Sequence, residues 1–267
     1  MNRLRRVETF ARLGYLARGI VYILLGYLAL ASSRSKSPTN VLGEIKDSSF
    51  GTPALVIVGI GLALYGLYRL YGAALNIDGH QRDLVGSAKR IGHGASGLAH
   101  LGLGFIAGRA ALAGDAIAKN GGGEKTQEAA SFLMTLPGGD IILALIGLGF
   151  LAAALDQGKK AWTGEYMDEL AADTPDAVKY VGFAGHAART VVFAIIGWNI
   201  GWSAISGNAS EVGGVGLALD KLREHGTAFT IVAIGLFLFG IFSVVTARYR
   251  TIRDEDVIAR LKREMHG

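Results

Sequence analysis

Cysteine is absent from this 267-residue chain. That excludes disulfides, thiolate metal ligands and cysteine nucleophiles, and it leaves the redox compartment undetermined. Charge is sparse, at 18% of residues, against about 25% in a soluble domain. Proline is scarcer still, with 4 residues. Carboxylates are missing from the middle of every apolar run. Asp140 and Asp156 flank the fourth run, and Asn199 is the only amide deep in the fifth. Cation-coupled carriers and proton pumps use an intramembrane carboxylate to hold the ion, so its absence weighs against that class. Catalytic signatures are absent too. The glycine-rich runs lack a P-loop lysine or a preceding strand, and serines within the runs have no adjacent His and Asp. The chain is not expected to be an enzyme.

What is present is apolar. Hydrophobic residues make up 51% and mean hydropathy is +0.36. Glycine reaches 39 residues, roughly twice the ~7% of average usage. Abundant glycine with little proline suits closely packed membrane helices, where small residues let backbones approach. A disordered glycine-rich chain would carry polar residues instead of these aliphatic runs. The net charge of +5 falls beside the apolar runs and not on a soluble face, so no nucleic-acid partner is expected.

The first run, Leu13 to Ala31, follows Arg3, Arg5, Arg6 and Arg12 and ends in Ala29-Leu30-Ala31. This layout mimics a cleavable signal peptide. The run is, however, a copy of two internal segments, and its ~19 residues approach the ~20 that span a bilayer, so a retained span is expected. Five more follow: Pro53 to about Leu75, Ile91 to about Leu112, Ile141 to about Leu155, Val181 to Ile205, and Phe229 to Ala247. The fourth is the shortest unless Pro137 to Asp140 begins its helix.

The odd-numbered runs align. Gly14–Tyr27 (GYLARGIVYILLGY) lies in register with Gly92–Phe105 (GHGASGLAHLGLGF) and Gly185–Trp198 (GHAARTVVFAIIGW). The first position is always Gly. The second is Tyr15, His93 or His186, the fifth Arg18, Ser96 or Arg189, and the ninth Tyr22, His100 or Phe193. The thirteenth is Gly26, Gly104 or Gly197, followed each time by an aromatic. The even-numbered runs align as well, from Val58, Ile146 and Val232, sharing Gly61, Gly149 and Gly235 and then Gly66, Ala154 and Gly240. A short amphipathic piece precedes each of these (Val41 to Phe50, Thr126 to Leu136, Leu217 to His225). The repeat is therefore long helix, loop, short lid helix, long helix, three times over, and such periodicity fixes the architecture before any motif does.

The expected fold is an all-α membrane protein: one domain over 1–267, six transmembrane helices, and repeat units of approximately 10–78, 88–165 and 178–250. Residues 251–267 form a cytoplasmic tail, read with Arg248–His266 as a solvated or membrane-surface helix. Sixteen Lys and Arg fall on the side of the termini and eight on the lid side. The positive-inside rule then places both termini in the cytoplasm. Units with two spans each insert the same way up, as parallel repeats about a pseudo-three-fold axis along the membrane normal.

Three tandem two-span units, each opening on these G-[YH]-x-A-R-G-like residues and reaching a glycine with an aromatic after it, resemble the domain-of-unknown-function 1206 family. The resemblance covers about Arg12 to Arg250. It implies six spans in the bacterial inner membrane and no established activity. The second unit departs from the pattern, with Ser96 in place of Arg and no aromatic opposite Tyr65 and Phe239.

Candidate sites follow from the alignment. Gly26, Gly104, Gly197, Gly61, Gly149 and Gly235 are expected at helix contacts, with Gly104-x-x-x-Gly108 and Gly197-x-x-x-Gly201 as small-residue crossings. Gly121–Gly123 reads as a flexible point in the longest outer loop. Arg18 and Arg189 lie ~7 Å inside their spans at 1.5 Å per residue. They are either interfacial anchors for lipid phosphate or inward contacts for an anion. Tyr15 shares a face with Arg18, and His186 with Arg189. Tyr15, Arg18, His93, Ser96, His186 and Arg189 are thus expected in one polar layer near the cytoplasmic side. His93 and His100 are two turns apart on one helix, too far to share a metal. Only His93 with His186 could hold a haem between opposing helices. Packing and interfacial roles outweigh both, so no cofactor and no metal is expected. Expected partners are membrane lipid, anionic lipid included, and a membrane protein or a second copy. Two functions remain: a non-catalytic binding and assembly module, or a channel or carrier along the pseudo-three-fold axis. A dry axis favours the first and a wet one the second.

Overall fold

The computed structural model describes residues 2–31, 38–47, 51–76, 81, 83–113 and 122–250. Among them are nine α-helices and no strand beyond one antiparallel bridge, Leu170 with Arg250. The long helices are α1 (Asn2–Ala31), α3 (Gly51–Leu75), α4 (Leu84–Ala113), α6 (Gly139–Thr163), α7 (Ala177–Ser206) and α9 (Gly226–Tyr249). The short ones are α2 (Pro38–Lys46), α5 (Gly122–Met134) and α8 (Val215–Arg223), each just ahead of α3, α6 and α9. The 251–267 tail lies outside the described residues.

Five helices are long and apolar enough to cross a membrane: α1 over Ala11–Ala31, α3, α6, α7 and α9. The third expected span, α4, falls below them because His93, His100 and a run of glycines dilute its apolar residues. The short fourth run becomes a full helix of 25 residues. Gly138, at φ 75°, turns the chain into it, and Asp140 sits in its first turn, where a negative charge complements the exposed N–H groups. Gly164, at φ 70°, ends it by donating to the Lys160 carbonyl at 2.9 Å, as left-handed glycines commonly do.

Each short helix begins a few residues before its amphipathic pattern, which marks only the packed face. Gly122 and Gly123, expected in a flexible loop, form the first turn of α5. In α8, Ala218, Leu219 and Leu222 are buried on one face. Lys221 pairs with Glu211 and reaches Asn199 Oδ1 at 3.1 Å, and Arg223 donates to the Ala29 carbonyl near the end of α1 at 3.2 Å. The short helices thus fasten one end of the bundle.

The six long helices stand in the order α4, α3, α1, α9, α7, α6. Units one, two and three are α1–α3, α4–α6 and α7–α9. Contacts between units use equivalent positions three times. A Cβ on Gly26 would lie 2.7 Å from the Ala233 carbonyl oxygen; one on Gly104, 2.9 Å from that of Gly59; one on Gly197, 2.8 Å from that of Gly147. No Cβ fits at such distances. Glycine brings the backbones together, as small residues do in membrane helices.

Contacts within units occur only twice. Gly14 lies against Tyr65 and Gly185 against Phe239; Gly61 lies against Ala17 and Gly235 against Ala188. In the second unit a Cβ added to Gly92 or Gly149 would meet nothing within 4 Å. This corrects the expectation that Gly149 is a packing glycine. The physical reason is at the next turn, where Ala153 replaces Tyr65 and Phe239 and leaves no ring to hold the pair together. α4 and α6 share no packed seam comparable to the others. Lys89 and Asp156, 3.8 Å apart, bridge them at one end.

Candidate functional site

The site forms where the two closed units meet, over α1, α3, α7 and α9. Arg18 lies 4.6 Å above the Tyr15 ring, 4.9 Å from Tyr65 and 4.9 Å from Phe239. Its Nη1 donates to the Tyr65 hydroxyl at 2.5 Å, and its Nε to the Ser243 hydroxyl at 3.2 Å. Ser243 in turn donates to the Phe239 carbonyl one helical turn back, at 2.9 Å. Arg189 lies 4.4 Å from the same Phe239 ring and 4.7 Å from Phe193. Its Nε is buried and has no hydrogen-bond acceptor. Two guanidinium groups therefore share one aromatic ring, and no carboxylate pairs with either among the described residues. Aromatic faces attract a cation through the ring quadrupole, but they do not neutralise it.

Polar and aromatic groups surround this pair. Tyr15 packs edge-on against Tyr65 at 5.2 Å and tilts toward Tyr68 at 6.1 Å. Tyr68 accepts from Arg250 Nη2 at 3.2 Å, and Arg250 also pairs with Glu169. His186 is 6% exposed. Its Nδ1 donates to Gln157 Oε1 at 2.9 Å, which leaves Nε2 buried without a partner. The ring stacks on Tyr166 at 4.9 Å and meets Phe239 and Phe242 edge-on, each at 5.5 Å. His100, from α4, lies 4.7 Å from Tyr65 and donates from Nδ1 to the Ser96 carbonyl at 2.7 Å. Arg69 acts electrostatically on Tyr65 and His100 together with Arg18 and Arg189.

Of the six residues expected in one polar layer, the structure brings Tyr15, Arg18, His186 and Arg189 around Tyr65 and Phe239. His93 and Ser96 stand apart on α4: His93 acts on Asp156, and Ser96 contributes its backbone carbonyl. The sequence reading missed Tyr65, Phe239 and Ser243 as Arg partners and Gln157 as the His186 partner. The aligned even spans carry a signal for them. Tyr65, Ala153 and Phe239 occupy one repeat position, and Arg69, Gln157 and Ser243 another. It also missed the segment after α6, where Tyr166 and Leu170 are buried against Phe239, Phe242 and Val178. Tyr166 donates to the Lys179 carbonyl at 2.5 Å, and burial pushes its phenol above the ordinary range, which keeps it a donor.

Beyond the arginines the bundle interior is mostly apolar, built from Val21, Leu25, Leu62, Val192, Ile196 and Leu236, with Asn199 and Ser203 as buried polar residues among them. A cavity of about 400 Å³ lies at the edge of the bundle, between the ends of α3 and α4, lined by Ala73, Ala74, Ser87, Arg90 and Ile91. Among the described residues no group of three or more His, Asp or Glu could hold a metal ion.

Three tandem two-helix units, with five helices long and apolar enough to cross a membrane, wrapped around half-buried arginines, define a multi-pass helical membrane protein. The family model described as Domain of Unknown Function (DUF1206) matches residues 13–76, 91–164 and 184–250, one match to each unit, and the chain belongs to that family. The chain is similar to the uncharacterised protein YxxB of Bacillus subtilis (strain 168), with 28% identity over 256 residues covering 91% of each chain. No solved structure matches.

Proposed function

We propose that this protein is a non-catalytic binding module of the bacterial inner (plasma) membrane, and that its Arg18–Arg189 layer binds an anion. The observation that carries this reading is the pair of guanidinium groups on one Phe239 ring without a carboxylate. Cations held partly inside an apolar bundle are costly unless paired. An anion would accept from the free Arg189 donors and neutralise both charges in one step, as guanidinium forks do with phosphate or carboxylate.

In this reading all six long helices span the membrane, arranged about a broken pseudo-three-fold axis. α4 belongs among them because it has the 30-residue length of α1 and α7 and packs along α3 through Gly97 and Gly104. The positive-inside charge bias supports cytoplasmic termini. The mostly apolar interior on the lid side of the arginines, where Asn199 is taken up by Lys221, supports a binding module over a channel or carrier along the axis.

The test is binding of inorganic phosphate or phosphatidylglycerol to the purified full chain in neutral detergent. The wild type should bind one of them, and Arg18→Gln with Arg189→Gln should lose that binding while remaining folded. Equal binding by the double variant would overturn the proposal.

A further inference from the structure

We infer that the unclosed seam between α4 and α6 is the lateral entrance of this site, and that it holds an acyl chain of an anionic phospholipid whose phosphate sits on Arg18 and Arg189. The inference rests on the anion reading above and adds the chemical class of the ligand and its route.

The seam is specific to the second unit. On the even helices, Val58 and Val232 are 3% and 4% exposed, whereas the equivalent Ile146 is 42% exposed. On the odd helices, Ala17 and Ala188 are buried, whereas the equivalent Ala95 is exposed. At three positions the walls of the seam also carry smaller side chains than the other units, while Ile146 and Phe150 are larger than the Val and Leu they stand for. Ala99 stands for Val21 and Val192, Gly102 for Leu24 and Ile195, and Ala153 for Tyr65 and Phe239. Each replacement removes volume on the face that the other units fill with their own side chains. The result is a largely apolar trench facing lipid where those three side chains are reduced.

Small residues alone would suit any helix contact. The second observation is electrostatic. Each wall reaches a guanidinium through one aromatic step. From α4, His100 touches Tyr65, which accepts from Arg18. From α6, Phe150 lies 5.8 Å from Phe193, which carries Arg189 over its ring. Arg189 keeps a buried Nε donor with no acceptor. An apolar trench ending at two uncompensated cations is complementary to a molecule with a long hydrocarbon tail and an anionic head. A free anion would use the arginines and leave the trench without an occupant.

Three arms test this on the full-length chain, which contains no native cysteine. Gly149→Cys carrying a benzophenone maleimide is irradiated in nanodiscs of equal phosphatidylglycerol and phosphatidylcholine, and lipid adducts are read by mass spectrometry. Phosphatidylglycerol adducts should exceed phosphatidylcholine adducts at least fivefold, and Arg18→Gln with Arg189→Gln should abolish the excess. In the second arm, Ala153→Phe with Ala99→Val restores the bulk found in the other units and should reduce phosphatidylglycerol binding at least tenfold. In the third, inorganic phosphate should bind at least tenfold more weakly than phosphatidylglycerol. Equal capture of the two lipids at Gly149→Cys would overturn the inference whether or not the filled variant folds. Arginine-dependent phosphatidylglycerol binding that the filled seam leaves unchanged would overturn the entrance while sparing the anion site. Phosphate binding as tight as lipid binding would reduce the ligand to a free anion. Binding indifferent to both arginines would defeat the anion reading itself.

Discussion

The first and third units close on themselves, and the second does not. All three have a first long helix of 30 residues and a second of 24 or 25, the same glycine ladder toward the neighbouring unit and a short lid helix. They differ at a few positions inside the unit. Tyr65 and Phe239 fill the space beside Gly14 and Gly185, and their rings also receive Arg18 and Arg189. In the second unit Ala153 and Ser96 replace both the ring and the cation, and the helix pair parts. The arginine and the aromatic belong together: where one is lost, so is the other, and the seam they close is open. Duplication kept the contacts that join units and released one contact within a unit.

The comparison can be broken first at the rings. Phe239→Ala should cost about 3–5 kcal/mol, the range for removing a buried aromatic. Ile146→Ala, on the open unit, should stay within about 0.5 kcal/mol, as at other surface positions. Unfolding of the purified chain in mixed micelles gives both values, and similar losses would mean that the second unit is packed after all. A sharper version uses one substitution at equivalent glycines. Gly14→Ala and Gly185→Ala push a Cβ to within 2.5 and 2.7 Å of Tyr65 and Phe239, so each should destabilise by about 1–3 kcal/mol. Gly92→Ala and Gly149→Ala meet open space. There the helix preference for alanine should stabilise by about 0.5–1 kcal/mol. The sign should reverse between units in thermal unfolding, and a common sign would contradict the difference.

The smallest effect concerns the hydrogen bonds of Arg18. Tyr65→Phe and Ser243→Ala each remove one partner and should cost about 1 kcal/mol apiece. In a double-mutant cycle each should be non-additive with Arg18→Gln, because residues in contact couple. Ser96→Ala, at the equivalent position of the open unit, should show no coupling to Arg18. Additivity of Tyr65→Phe with Arg18→Gln would show that the bond does not contribute.

Five of the spans, the repeat and the inter-unit glycines were legible because each depends on a periodic pattern that recurs along the chain. Gly26, Gly104 and Gly197 could be placed at contacts for that reason alone. Gly149 could not, because the same glycine is a contact only when an aromatic one turn later holds the partner helix. The convergence of Arg18 and Arg189 on Phe239 was half legible. Depth follows from position along the span, but the shared ring depends on how helices of different units rotate against one another. The role of Gln157 as the His186 partner was hidden for the same reason, since 29 residues separate them. The buried segment around Tyr166 has no repeat counterpart to reveal it.

The most direct measurement of the central claim is disulfide formation between paired cysteines, which the cysteine-free chain permits without background. The pairs are Ala17→Cys with Gly61→Cys, Ala188→Cys with Gly235→Cys, and Ala95→Cys with Gly149→Cys, equivalent positions in the three units. A disulfide needs Cβ atoms about 3.5–4.5 Å apart; in the first two pairs the added Cβ starts 2.4 Å from its partner's, so the helices part by about 1–2 Å to seat the bridge. Under mild oxidation in membranes the first two should form within minutes and the third should remain reduced. A third pair that oxidises as fast as the others would mean that the second unit closes like its neighbours, and the open seam would not exist.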